Sequence, residues 1–106
     1  MLESLMMRLL HTAKGTYAQA FKLLQSMAMQ GDATAQNNLG RMYANGQGVP
    51  QDYVRAHMWL NLAAAQGDSV AVKNRDLAAK IMTAAQIAEA QKMARECEQR
   101  NYKGCN

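Results

Sequence analysis

Cys97 and Cys105 have the widest chemistry open to them of any residues in this chain. A thiol pair can form a disulfide, hold a metal or stay as two free nucleophiles. Eight residues apart on one continuous helix, they would stand about 12 Å from each other along the axis. A disulfide needs Cα atoms within about 7 Å, so a bridge requires the chain to turn between them. Asn101 and Gly104 in "QRNYKGC" are residue types suited to that turn. Two free thiols are the other reading. A bridge implies an exported, periplasmic protein, and free thiols a cytoplasmic one.

The remaining candidates for chemistry give little. No Cys-x-x-Cys is present, and His11 and His57 lack partners at ligand spacing, so no metal site is expected. Gly46-Gln47-Gly48 lacks the later glycine of a phosphate loop, follows no strand and runs into Pro50 instead of a helix start. No Gly-x-Ser-x-Gly occurs. The acids read as helix caps or members of surface pairs, which leaves no acid–base couple. His57, beside Trp59, reads as a packing residue, and the nine methionines at helical spacing read as core filling and not as copper ligands. Neither an enzyme nor a cofactor is expected.

Without catalytic residues to position, the elements themselves become the subject. At 106 residues the chain is one small domain. Only six residues are aromatic: Tyr17, Phe21, Tyr43, Tyr53, Trp59 and Tyr102. Alanine and methionine must fill the core, which favours helix on helix over a sheet. The net charge of +4 comes from twelve basic and eight acidic residues, scattered without a basic run. That argues against a nucleic-acid groove. No apolar stretch approaches the roughly 20 residues of a membrane span. In "MLESLMMRLLH" the apolar residues Leu2, Leu5, Met6, Leu9 and Leu10 are interrupted by Glu3, Ser4 and Arg8. This predicts a short amphipathic helix and not a signal peptide; a signal segment upstream stays open.

The chain repeats itself. Residues 17–38 and 53–74 are identical at nine of 22 positions at an offset of 36, without gaps, among them the two "QGD" triplets at 30–32 and 66–68. A period of this length marks stacked repeats. Each unit reads as two helices. The first segment, 17–30, turns Ala20, Leu23, Leu24, Met27 and Ala28 inward. Gly31 ends it and Asp32 caps 33–45, which carries Ala35, Leu39, Met42 and Tyr43 on its inner stripe. Gly46, Gly48 and Pro50 form a corner. Asp52 then caps 53–66, with Tyr53, Ala56, Trp59, Leu60 and Ala63 inward. Gly67 and Asp68 repeat the stop and the cap before 69–81, where Val70, Asn74, Leu77, Ala78 and Ile81 are expected inside. A Thr83–Gln86 capping box opens 84–100, with Ile87, Ala90, Ala94 and Cys97 inward. Lys92–Glu96 and Glu96–Arg100 are expected as surface pairs. Gly40, inside a helix at a cost of about 1 kcal/mol, predicts close approach by Tyr53 or Trp59.

These residues resemble the Sel-one-like repeat family, relatives of the tetratricopeptide repeats. The family pattern is met by Ala35, Leu39-Gly40, Met42-Tyr43, Gly46-Gln47-Gly48-Val49, Asp52-Tyr53, Ala56, Trp59 and Ala64-Ala65-Gln66-Gly67. It covers 17–72; 1–16 fits a degenerate N-terminal helix and linker. Residues 73–106 diverge, with Arg75-Asp76 in place of Leu-Gly, and read as a capping hairpin. The resemblance implies an all-α fold, a right-handed α–α superhelix built as a short solenoid of antiparallel hairpins. It also implies a non-catalytic scaffold for protein partners. In cysteine-containing bacterial members a bridge occurs at the Cys97–Cys105 spacing, which favours the disulfide.

In such arrays the first helix of each pair lines the inner face. On helix 33–45 that places Thr34, Asn37, Arg41 and Asn45 toward a partner, with Asn38 beside them. In related peptide-binding repeats, side chains of these types grip a backbone or a carboxylate. As ordinary solvated residues they would hold nothing. Two other readings stand beside the scaffold. One is a basic accessory protein on an anionic cell-envelope polymer or nucleic acid. The other is a self-associating unit, such as a homodimer, joined through the open ends of the array.

Overall fold

A computed structural model describes residues 13–106. The amphipathic N-terminal helix expected from the sequence, and most of the degenerate 1–16 segment, lie outside the described residues. Among the described residues there are five helices and no strand: α1 (Ala13–Met29), α2 (Ala33–Asn45), α3 (Tyr53–Ala65), α4 (Ser69–Ala79) and α5 (Ala84–Gln99). The all-α repeat architecture is therefore as the sequence predicts.

The helix starts follow from local chemistry. The first backbone N–H groups of a helix have no partner within it, and a side-chain oxygen just ahead can accept from one. Asp32 accepts from Ala35 N at 2.9 Å, Asp52 from Arg55 N at 3.0 Å and Asp68 from Ala71 N at 3.0 Å. Thr83 and Gln86 form the complete capping box. Burial works to raise the Asp52 carboxyl pKa. Hydrogen bonds from the Arg55 N–H and guanidinium outweigh it and hold the group below its ordinary value. The surface pairs expected on α5 do not close. The ion pairs among the described residues are Arg55–Asp52 and Arg75–Asp76.

The α2–α3 corner depends on Gly48. Its φ of 73° is left-handed, and a Cβ there would run into the Tyr17 carbonyl and stand 2.9 Å from Ala18 N. A side chain would strain the backbone and also push the loop away from α1.

Helix α3 is the centre of the molecule, packed against α2, α4 and α5, while α1 packs on α2. Trp59, Met58, Leu62 and Ala56 of α3 are buried together with Leu39 and Tyr43 of α2 and Ala94 and Cys97 of α5. Phe21 of α1 meets Tyr43 edge to face, ring centres 5.4 Å apart. On α1 the inner face is Phe21, Leu24 and Ala28; Leu23 and Met27, expected inside, are exposed.

The last two helices differ from expectation. Helix α5 leaves α4 and crosses back onto α3, so the expected capping hairpin does not close. The repeat explains why. Gly40 of α2 meets α3 at Leu60 and Ala56; an offset of 36 places Asp76 at that position of α4. Burying Asp76 under a helix would cost more than small side chains return. Helix α5 instead lays its small residues Ala90, Ala94 and Cys97 inward.

Beyond α5 the chain turns through Asn101, Tyr102 and Gly104, all at positive φ. The Cys97 and Cys105 sulfurs stand at bonding distance, 2.09 Å, with Cα atoms 5.5 Å apart. Both residues are buried in the main core. Tyr102 covers Gly31, its ring 3.3 Å from where a Cβ would be, and Asn106 accepts a hydrogen bond from Gln25. The C-terminal segment thus seals the α1–α2 corner. Buried Gln36 binds that corner to the next one. It donates to Ala28 O (3.1 Å) and accepts from Gln66 (2.9 Å), which also donates to Gly31 O (3.0 Å).

Candidate functional site: the groove between α2 and α4

Helices α2 and α4 occupy equivalent places in successive repeats, and the gap between them is a groove. Its α2 wall carries Arg41, Ala44 and Asn45; the opposite wall carries Asn74 and Leu77 of α4 and Ile81 of the turn after it; Leu60 and Tyr53 of α3 lie at its base. The hollow encloses about 260 Å³, just under the roughly 300 Å³ at which small-molecule pockets begin. It suits one or two side chains of another polypeptide better than a cofactor.

The predicted α2 residues divide. Thr34, Arg41 and Asn45 are exposed on one face, and Asn38 is half-buried beside them. Asn37 is buried, and its carbonyl oxygen accepts from Asn74 Nδ2 at 3.1 Å, so it ties α2 to α4 and is not free for a ligand. Helix periodicity put Asn37 on the outer face; the nearness of α4 closes that edge.

On α4 and in the turn after it the sequence expectation is overturned. Val70, Leu77 and Ile81, expected in the core, are 54%, 59% and 63% exposed. The buried residues of α4 are Ala71 and Ala78. Alanines at the contact let α4 lie close to α3, which leaves the larger apolar side chains pointing outward.

Electrostatically the groove is simple. Arg41 carries the one charge among the lining residues and has no ion-pair partner among the described residues. Lys73 and Lys80 are exposed on the outer flank of the α4 stripe, away from Ala71 and Ala78. Arg75 is engaged with Asn61 and Asp76. His57 lies outside the lining. It is buried between helices, its Nδ1 unpartnered among the described residues. Burial, and then the nearby Arg75, push its pKa below the ordinary imidazole value.

A scan against family models matches the Sel1 repeat over residues 17–32 and 33–68. The chain carries Sel1 repeats. The second match runs from the first turn of α2 to the cap of α4, one complete unit of the 36-residue period. No curated protein matches the chain, and no solved structure does. Sel1 repeats are generally protein–protein interaction modules and typically non-catalytic. Among the described residues of this Sel1-repeat chain, no helix is long and apolar enough to cross a membrane.

The sequence did contain a signal for the missed α4 residues. Positions 34, 38, 41 and 45 of one unit correspond to 70, 74, 77 and 81 of the next. Once the first set is assigned to the inner face, the second set follows. Reading each helix separately by its own apolar stripe hid that relation.

Proposed function

We propose that this Sel1-repeat protein is a scaffold whose α2–α4 groove receives a segment of a partner protein. One observation carries the reading. Arg41 and Asn45 line the groove, with Thr34 and Asn38 on the same face of α2; the positions 36 residues on are Asn74, Leu77 and Ile81, which line it too, and Val70. The first set shows that these positions need no apolar residue for folding. Val70, Leu77 and Ile81 of the second set are apolar all the same and exposed, while Asn74 is polar and bonded to Asn37. Exposed apolar residues in a concave surface mark interaction sites more often than chance exposure does.

The Cys97–Cys105 geometry supports an oxidising, exported setting. The shared core of the described residues supports reading the chain as a single domain.

The test places a photo-cross-linking residue at position 77 and, separately, at position 26 on the outer side of α1. Each variant is expressed in the native host. A discrete protein adduct from position 77, absent from position 26, is expected. Adducts of the same mass from both positions would refute the groove.

A further inference from the structure

Resting on the groove reading above, we infer that the partner segment is acidic and amphipathic, with its apolar side chains on α4 and its carboxylates toward Arg41, Lys73 and Lys80. The two walls differ in kind. Val70 and Leu77 stand seven residues apart on α4, and Ile81, four further on in the turn that follows, continues the apolar stripe. A helix or a strand laid along it would need apolar residues on one side only. Across the groove, the α2 wall is polar and its one charge, Arg41, has no ion-pair partner among the described residues.

The flank completes the pattern. Lys73 of α4 and Lys80, its C-cap, stand seven residues apart, both exposed beside the stripe and on the side away from Ala71 and Ala78. A segment seated on Leu77 and Ile81 would therefore have cations on both margins. Asp76, the acid nearest in sequence, points further round the helix and is engaged with Arg75. Basic residues at these margins would repel a basic partner and draw an acidic one, which is how rim charge sets specificity.

The size of the effect is bounded. An exposed ion pair changes affinity by up to about fivefold, and three at average strength together give roughly tenfold. The apolar contacts carry the binding and the cations choose the partner.

Two synthetic peptides test this, each about fourteen residues or four helical turns long. Both carry leucine at positions i, i+4, i+7 and i+11. One has glutamate at the flanking positions and the other lysine. Binding to the full chain is measured by fluorescence anisotropy at low salt and at about 0.5 M NaCl, where the Debye length falls to roughly 4 Å. The glutamate peptide is expected to bind at least about tenfold more tightly at low salt. That advantage should vanish at high salt and in the triple variant Arg41→Gln, Lys73→Gln, Lys80→Gln. Leu77→Asp should abolish binding, with its helical circular dichroism unchanged. Equal affinity for the two peptides, still lost in Leu77→Asp, would overturn the acidic preference and leave the groove standing. Preference for the lysine peptide would do the same. Binding of neither would remove both.

Discussion

Gly40 of α2 lies directly beneath Leu60 of α3: a Cβ added to Gly40 would stand 2.7 Å from Leu60 Cγ and 3.0 Å from the Ala56 carbonyl. The sequence predicted a visitor here but named Tyr53 or Trp59. Trp59 turns instead into the core, fully buried. The contact is what allows α2 and α3 to pack as a tight hairpin, with Leu60 at the base of the groove.

Gly40→Ala therefore sets two effects against each other. Alanine improves helix propensity by about 1 kcal/mol, while overpacking costs about 1–3 kcal/mol. Leu60 can shift, but the Ala56 carbonyl is backbone and cannot. A net loss of stability is expected, read as a lower urea midpoint with an unchanged slope. A rise in the midpoint would show that the hairpin has slack.

Leu60 and Leu77 offer a contrast within one groove. Leu60 is buried and Leu77 is not. Leu60→Ala should cost about 2–5 kcal/mol. Leu77→Ala should stay within about 0.5 kcal/mol, as for other exposed substitutions. Comparable losses in thermal denaturation would mean that Leu77 serves the fold.

The Cys97–Cys105 pair closes a short loop that holds Tyr102 over Gly31. In the chain-entropy model such a loop contributes about 2–3 kcal/mol. Denaturation with and without reductant should differ by that amount. The double variant Cys97→Ala, Cys105→Ala should match the reduced protein and be insensitive to reductant. Alkylation without reductant that adds two groups per chain would reject the bridge.

His57 makes stability depend on pH with a definite sign. Its folded pKa lies below the ordinary value of 6.5, so the unfolded chain takes up the proton first. The stabilisation is complete above about pH 6.5 and is lost as pH falls below it toward the folded value. Urea midpoints should fall between pH 7.5 and pH 5.5, and His57→Gln should flatten that slope. An equal slope in the variant would place its origin elsewhere.

Much of this architecture was present in the residues taken one segment at a time. The period of 36, the aspartate caps, the Thr83–Gln86 box and the corners at Gly31, Gly46 and Gly67 are local features, decided by side chains within a few residues of the backbone groups they satisfy. Gln36 escaped notice because nothing local distinguishes it. Its partners Ala28 and Gln66 come together only when two corners meet.

What the sequence determined alone was that helices form, where they stop and that they repeat. The tertiary structure decided where α5 goes, and so which apolar residues stay uncovered. A helical stripe records that one face is apolar but not which element reaches it. Helix α5 packs on α3, and Asp76 stands where α4 would have had to receive it. That packing, together with the small alanines that seat α4 on α3, left Leu77 and Ile81 lining the groove and Val70 exposed.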